Sequence, residues 1–393
     1  MTQAKLRIVH RLSEVPRAAW DALGGGDSPF LEWDWLTALE ETGCATPETG
    51  WAPHHLLLEE GGRLVAACPL YLKGHSEGEF VFDHEWAHAA QGAGLRYYPK
   101  LLVAVPFTPA AGGRLLVERD APAARRVALM QALGRSLLEL AREAALSSVH
   151  VNFCTREEAE ALAPLGFLER KGMQYHWENR GYGNFDDYLA EFRSKRRTQI
   201  KRERREMADL GVTLRAVSAD AIPPELVPTM YRLYRGHVEK MYWGRLYLNE
   251  RFFERIVQRF ARNLCFVLAE REGRVIAGTF NVQKAGVFYG RYWGTFEELR
   301  HLHFNVCYYE AIAHCIRDGV QRFEPGAGGD FKQLRGFDPR ETRSLHAFVH
   351  PGLQEAVERY LARERTHMGQ VIERLNAESQ LKPRAAEDPE RPG

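Results

Sequence analysis

The sequence predicts a mixed α/β (α+β) fold built from two consecutive, similarly ordered halves, and three observations predict it. Short apolar runs bounded by Gly, Pro and charged turns alternate with longer segments of helical apolar spacing. The order hairpin, strand, helix, strand occurs once before residue 178 and again after it. A length of 393 residues with a hydrophobic fraction of 45% is enough for two cores of ordinary size.

In the first half, two apolar runs in HHLLLEEGGRLVAACPLYL (54–72) flank Glu59-Glu60-Gly61-Gly62, a hairpin signal. YYPKLLVAV (97–105) reads as a buried strand, and Pro106, Pro109, Gly112 and Gly113 interrupt it before RLLV (114–117). A helix over 122–145 follows, because Val127, Met130, Leu133, Leu137, Leu138 and Leu140 fall near helical spacing. Strand SVHVNF (148–153), a short helix over 157–165 and a strand ending near Glu178 close this half. The second half opens with a basic helix over 185–210, strand VTLRAV, and helices over 228–238 and 249–262. A hairpin over 265–283 turns at Glu272-Gly273, followed by strand VFYGRYWG (287–294), a helix over 303–318, strand QRFEPG and an amphipathic helix over 354–375. The boundaries expected are 1–178 and 179–380. The segment from Leu381, with Pro and charge but few apolar anchors, is expected to be a disordered tail.

Lys and Arg number 53 against 52 Asp and Glu, so no bulk field draws the whole molecule to a polyanion, and any such site must be local. No apolar run reaches the roughly 18 residues of a membrane span, and the start lacks an apolar segment with a small-residue cleavage site. The expected compartment is the cytoplasm. The six cysteines form no C-x-x-C pair and lie mostly in apolar segments, which favours reduced core thiols.

Charge is most uneven at 191–206, EFRSKRRTQIKRERRE, which holds eight basic and three acidic residues. At helical spacing Arg193, Arg197 and Lys201 form one stripe, while Phe192, Ile200 and Met207 mark a face that can pack. Such a stripe is either a solvated face or a phosphate clamp, in which Lys195, Arg197 and Lys201 meet phosphate oxygens. A second constellation, EPGAGGDFKQLRGFDP (324–339), places Gly326, Gly328 and Gly329 before Lys332 and Arg335. It is either a plain turn or a backbone cradle with two cations suited to an oxyanion or a phosphate. Tyr308 or Tyr309 could supply a general acid, and Glu297 or Glu324 a base. His84-Glu85-Trp86-Ala87-His88 matches H-E-x-x-H, so a zinc hydrolase stands as one reading; nearby Gly92 and Gly94 and the absence of a long helical pattern argue for a chance match.

The strand and helix order, with a hairpin leading into strand, helix and strand, is similar to acyltransferases of the GNAT type. The strings SPFLEWDWLTALEETG, HHLLLEEGGRLVAACPLYLK, GEFVFD, RYYPKLLVAVPFTP, HFNVCYYEAI and FKQLRGFDP closely resemble FemAB-like predicted N-acyltransferases, in order over residues 28–376. That family in turn resembles the Fem peptidyltransferases, tandem GNAT-like proteins that use aminoacyl-tRNA. The resemblance implies two tandem GNAT-like domains, no metal, and acyl-CoA or aminoacyl-tRNA as donor, with tRNA as a possible partner. The implied acceptor is an amine on a small or phosphorylated molecule. It also implies that Lys195, Arg197, Ile200 and Lys201 match a phosphate-contacting helix motif and that Lys332 stabilises the reacting carbonyl, with Arg335 assisting. Relatives commonly read Gly-Ala-Gln-Gly-Glu-His-Lys where this chain has Gly326-Ala327-Gly328-Gly329-Asp330-Phe331-Lys332. The lost amide and imidazole favour the alternative of a non-catalytic pair that binds a ligand or partner.

Overall fold

The computed structural model of the chain describes residues 5–24, 26, 28–242 and 244–382. Among them, eleven strands form one continuous mixed sheet and four more form a small antiparallel sheet. The small sheet contains the hairpin His55–Glu60 and Arg63–Cys68, flanked by Lys5–Val9 and Leu116–Val117.

The large sheet runs through both halves. At one end lie Thr213–Ser218, Leu264–Arg271, Arg274–Lys284, Val287–Thr295 and Arg322–Glu324. At the other lie Ser148–Asn152, Lys100–Val103, Leu70–Lys73 and Trp51–Pro53. Two long strands join these ends, and each sits beside the opposite half. Leu168–Glu178, from the first half, pairs with Arg322–Glu324, while Asp338–Phe348, from the second, pairs with Ser148–Asn152. The two also pair antiparallel with each other from Asp338↔His176 to His346↔Leu168. Each half therefore completes its sheet with a strand of the other.

Sequence reading missed Asp338–Phe348, because its first residues, DPRETR, carry Pro and charge in place of apolar alternation. Its last five residues, SLHAF (344–348), are buried and fill the seam. The helix Pro351–Ala377 returns across the exchanged strands through Leu353, Val357 and Leu361.

The remaining expected elements are present, with two corrections. The expected single basic helix is two helices, Phe185–Ala190 and Ser194–Asp209. The break has a packing cause: Phe192 is buried and bridges to Leu381. Leu381 is thus part of the core, and Lys382 donates to the Ala190 carbonyl, so the expected tail does not begin at 381; residues 383–393 lie outside the described residues. The H-E-x-x-H match lies on a short helix, His84–Gly92, that ends at the nearby glycine. His84, Glu85 and His88 are exposed on it, and no group of three or more metal-ligating side chains occurs among the described residues.

One apolar core spans the halves, with Phe30 and Trp35 from the first packed on Tyr289, Phe252 and Phe260 from the second. Polar links accompany it: Glu32 accepts from Lys284 (2.6 Å) and Asp34 from Arg262 (3.1 Å). Among the described residues no helix is long and apolar enough to cross a membrane. The six cysteines are free thiols, five of them buried.

Candidate active site

Each half contains one parallel strand pair that starts together and then parts. In the first half the pairing runs Leu101↔Val149 to Val103↔Val151. In the second it runs Val287↔Arg322 to Tyr289↔Glu324. Where parallel strands diverge, backbone groups lose their ladder partners and something else must satisfy them.

The first fork is filled by the protein itself. Arg114, almost fully buried, donates to the Asn152 carbonyl (2.9 Å) beyond one strand and to those of Ala110 (2.6 Å) and Gly112 (3.1 Å) beyond the other. Buried Glu158 accepts from the backbone N–H of Thr155 (2.7 Å), Leu115 and Arg114, tying the same loops together. A guanidinium shared among carbonyls and a carboxylate saturated by amides commit both charged groups to the protein's own loops.

The second fork is open. A cavity of about 90 Å³ lies in it, lined by residues that include Asn281, Arg291, His303, Cys307, Tyr308 and Pro325. With a water's liquid share near ~30 Å³, that is room for a small acyl group. Two features build it. Phe280 faces Tyr292 while Asn281 faces Gly290, so Arg291 is the extra residue of a β-bulge and stands opposite no residue of the neighbouring strand. Gly290 stands at the crotch, where a Cβ would come within 3.2 Å of the Phe323 ring and of Pro325 Cα. The roof is the helix running from Leu302–Phe304 through a π-helical stretch, Asn305–Glu310, into Ala311–Arg317. Such widened turns are frequent at functional sites.

The glycine-rich segment follows Pro325 and borders the fork. Gly326, Gly328 and Gly329 all have positive φ (84°, 70° and 90°), so the chain can curl back on itself. Lys332, buried, sits inside that curl and donates to the carbonyls of Gly326 (2.8 Å) and Ala327 (3.3 Å). Burial lowers its ammonium pKa to about 8. Arg335 lies flat over Phe304, 3.4 Å from the ring centroid, and pairs with Glu203 (3.3 Å). Glu203 also accepts from the Tyr309 hydroxyl and from Gln199 (2.8 Å), whose oxygen in turn accepts from Arg196 (2.9 Å). The basic helix therefore reaches the glycine segment through its one inward acid. Gly336 (φ 70°) packs on Phe192, Tyr188 and Leu381, which seats the start of that helix beside the end of the segment.

Glu324 lies at the end of the fork strand, on the face toward the first half. Burial raises its carboxyl pKa to about 7, a rise that Arg322, with Nε 2.9 Å from Oε1, only partly offsets. Neither carboxylate oxygen has a well-aligned hydrogen bond, and His176 Nε2, 4.0 Å away on an exchanged strand, has none either. Burial, then Arg322, lowers the His176 pKa to about 3, so the imidazole is neutral. Arg322 lines a second cavity of about 720 Å³ between the halves, together with Tyr289, Gln321, Gly112, Gly113 and Arg126.

The structure thus brings Lys332, Arg335, Tyr308, Glu324, Gly326, Gly328 and Gly329 around one fork. Lys195, Arg197 and Lys201 lie along the adjoining helix and not in the fork. Lys195 is exposed, Lys201 pairs with Asp186 (3.3 Å), and half-buried Arg197 makes no ion pair among the described residues. Glu297, a candidate base, pairs with Arg271 (2.5 Å), and Tyr309 is committed to Glu203. Sequence reading missed Arg291, His303, His176 and Glu203. The available signal was a polar residue inside an apolar strand (Arg291 in YGRYWG, His176 in MQYHWE) or an acid set between arginines in a basic helix (Glu203 in KRERRE).

A family profile described as FemAB-like, peptidoglycan biosynthesis/recognition, matches residues 11–383. Among curated proteins no sequence matches. Solved structures of similar fold include FemX (13% identity, TM-score 0.55, covering 90% of this chain and 100% of that one). Another is the C-terminal domain (DUF2156) of a putative lysylphosphatidylglycerol synthetase from Agrobacterium fabrum (13% identity, TM-score 0.51, covering 90% and 96%). A tandem GNAT protein from the clavulanic acid biosynthesis pathway also matches (14% identity, TM-score 0.46, covering 89% and 99%). At such identities the likeness is one of fold, and the mixed α/β fold is shared with FemX and the DUF2156 domain.

Proposed function

The chain belongs to the FemAB-like family, and on that premise we propose that it transfers an acyl or aminoacyl group from an activated ester or thioester to an amine at the second fork. The observation that carries this reading is the asymmetry between the forks: Arg114 and Glu158 fill the first, while the second holds a cavity of about 90 Å³ with a bulge beside it.

The donor carbonyl enters the open fork, where the bulged backbone of Arg291 and the Lys332 ammonium meet the oxygen that becomes negative in the tetrahedral intermediate. The amine approaches from the face of Glu324, which takes its proton as the C–N bond forms. The C–S or C–O bond then breaks, and the leaving group receives a proton from Tyr308. Arg335, held between Phe304 and Glu203, acts through Lys332 by fixing the turn that carries it. Lys195, Arg197 and Lys201 present positive charge to a phosphate of donor or acceptor. Acyl-CoA and aminoacyl-tRNA both carry such phosphates, and the cavity between the halves offers a separate approach for the acceptor. We place the protein in the cytoplasm, where both donors occur.

The test is to incubate the purified protein with acyl-CoA thioesters or charged tRNA and an amine. Thiol release identifies the first donor; deacylation that weakens steeply with salt identifies the second. Lys332→Ala should cut turnover by about 10²–10³-fold with little change in KM. Equal turnover in that variant would remove the assignment. Binding of a donor that is never consumed would favour the non-catalytic alternative, for which the short, buried Lys332 contacts to its own loop are the supporting observation.

A further inference from the structure

The cavity in the open fork has an unequal charge environment. Among the described residues that line it, none is a carboxylate. Phe323 and Pro325 line it, while Glu324, between them in sequence, does not; its carboxyl group lies beside His176 and Arg322. Glu203 is buried and already shared by Arg335, Tyr309 and Gln199. The cations are not matched in this way. Arg291 lines the cavity and Lys332 sits in the adjoining turn, and neither makes an ion pair among the described residues. His303, another lining residue, registers the resulting field. Burial first, then His237, Arg335 and Lys332, lowers its pKa to about 4, so the ring is neutral, and no carboxylate among the described residues opposes the shift.

An ammonium group entering this space needs anionic, carbonyl or aromatic partners, and those at hand are engaged. The carbonyls of Gly326 and Ala327 already hold the Lys332 ammonium (2.8 and 3.3 Å). Aromatic faces attract cations, but Arg291 already lies over Tyr292, 5.6 Å from the ring centroid. Trp293 and Tyr308 pack edge-on with His303, at 5.0 and 5.5 Å between centroids. Asn281 spends its amide N–H groups on the Cys265 carbonyl (3.0 Å) and the Thr279 hydroxyl (2.9 Å). A methyl group of the same size needs no such partner and fills the space by contact alone.

We propose that the open fork selects an acyl group without positive charge, so that the donor is the CoA thioester of a simple short carboxylic acid and not an aminoacyl ester. This selectivity deepens the transfer reading and rests on the fork being the transfer site. In the step, the acceptor nitrogen forms the C–N bond and the C–S bond breaks. The proton lost by the amine is balanced by one gained by the departing thiol, giving an amide and free CoA.

The experiment compares propionyl-CoA with glycyl-CoA, which differ by an ammonium group in place of a methyl group of similar size. Equilibrium binding of each to the full chain is measured by calorimetry, alongside thiol release in the transfer assay. Propionyl-CoA should bind at least about tenfold more tightly. His303→Glu brings a carboxylate into the cavity and should shift the preference toward glycyl-CoA by about tenfold; Cys307→Asp makes the same test should the first variant fail to fold. Equal or tighter binding of glycyl-CoA, a ratio unmoved by either carboxylate, binding of neither thioester, or deacylation of glycyl-tRNA faster than thiol release from propionyl-CoA would overturn the proposal. A preference for propionyl-CoA with no thiol released would remove the transfer site and leave the selectivity of the cavity standing. Transfer from both thioesters at equal rates would do the reverse.

Discussion

Glu324 and Lys332 are moved by burial in opposite directions, Glu324 up to about 7 and Lys332 down to about 8, so both change charge close to neutral pH. The proposed base must be ionised and the proposed oxyanion partner protonated. The rate, as kcat/KM, should therefore rise as pH climbs through about 7, level off, and fall above about 8. Glu324→Gln should lose the acid limb and Lys332→Met the alkaline one; unchanged limbs in both variants would separate these groups from the chemistry. Stability follows its own sign. Because the folded-state pKa of Glu324 lies above its ordinary value of 4.5, the folded state binds more protons between 4.5 and about 7. Its stabilising contribution, full below 4.5, should be lost as pH rises through about 7, and denaturation of Glu324→Gln should lack that slope. At Glu203 the argument is one of pairing. Glu203→Gln leaves the Arg335 guanidinium buried beside a neutral group and should cost about 3–5 kcal/mol in chemical denaturation.

At the scale of elements, the exchanged strand Asp338–Phe348 carries the seam between the halves. Leu345 is almost fully buried within it, facing Val151 on one side and Glu169 on the other. Leu345→Ala should cost about 2–5 kcal/mol. Fluorescence and circular dichroism should lose signal in one shared transition, since the strand belongs to both sheets; two separated transitions would argue that the seam is weak. The glycine segment depends on backbone conformation in a comparable way. Gly336 has φ 70° and its missing Cβ faces Phe192 and Leu381 at 3.0 Å, so Gly336→Ala strains both the turn and the start of the basic helix.

For the whole molecule, exchange makes each half dependent on the other. A fragment of residues 1–178 lacks the strand that covers Ser148–Asn152, and a fragment of 179–382 lacks the strand that covers Arg322–Glu324. Unpaired inner strands expose rows of backbone donors and acceptors. Neither fragment alone should show a cooperative thermal transition, whereas co-expressed fragments should co-purify. A fragment that melts cooperatively by itself would contradict this dependence. The same arrangement brings His176 of one half beside Glu324 of the other, so the fork's inner face is made by two parts of the chain far apart in sequence.

The sequence by itself determined the class of fold and most of its parts. Hairpins at 54–72 and 265–283 and the helices over 122–145 and 303–318 were legible because apolar periodicity and Gly-containing turns act over a few neighbouring residues. The cluster Gly326, Gly328, Gly329, Lys332 and Arg335 was legible for the same reason, being contiguous. Only the tertiary structure decided which fork is open, that Arg114 closes the other, and that Glu203 rather than Arg197 links the basic helix to the glycine segment. It alone decided that Asp338–Phe348 crosses to the first half, since a strand's partner is chosen by burial and ladder pairing between residues nearly 200 positions apart, which no local pattern encodes.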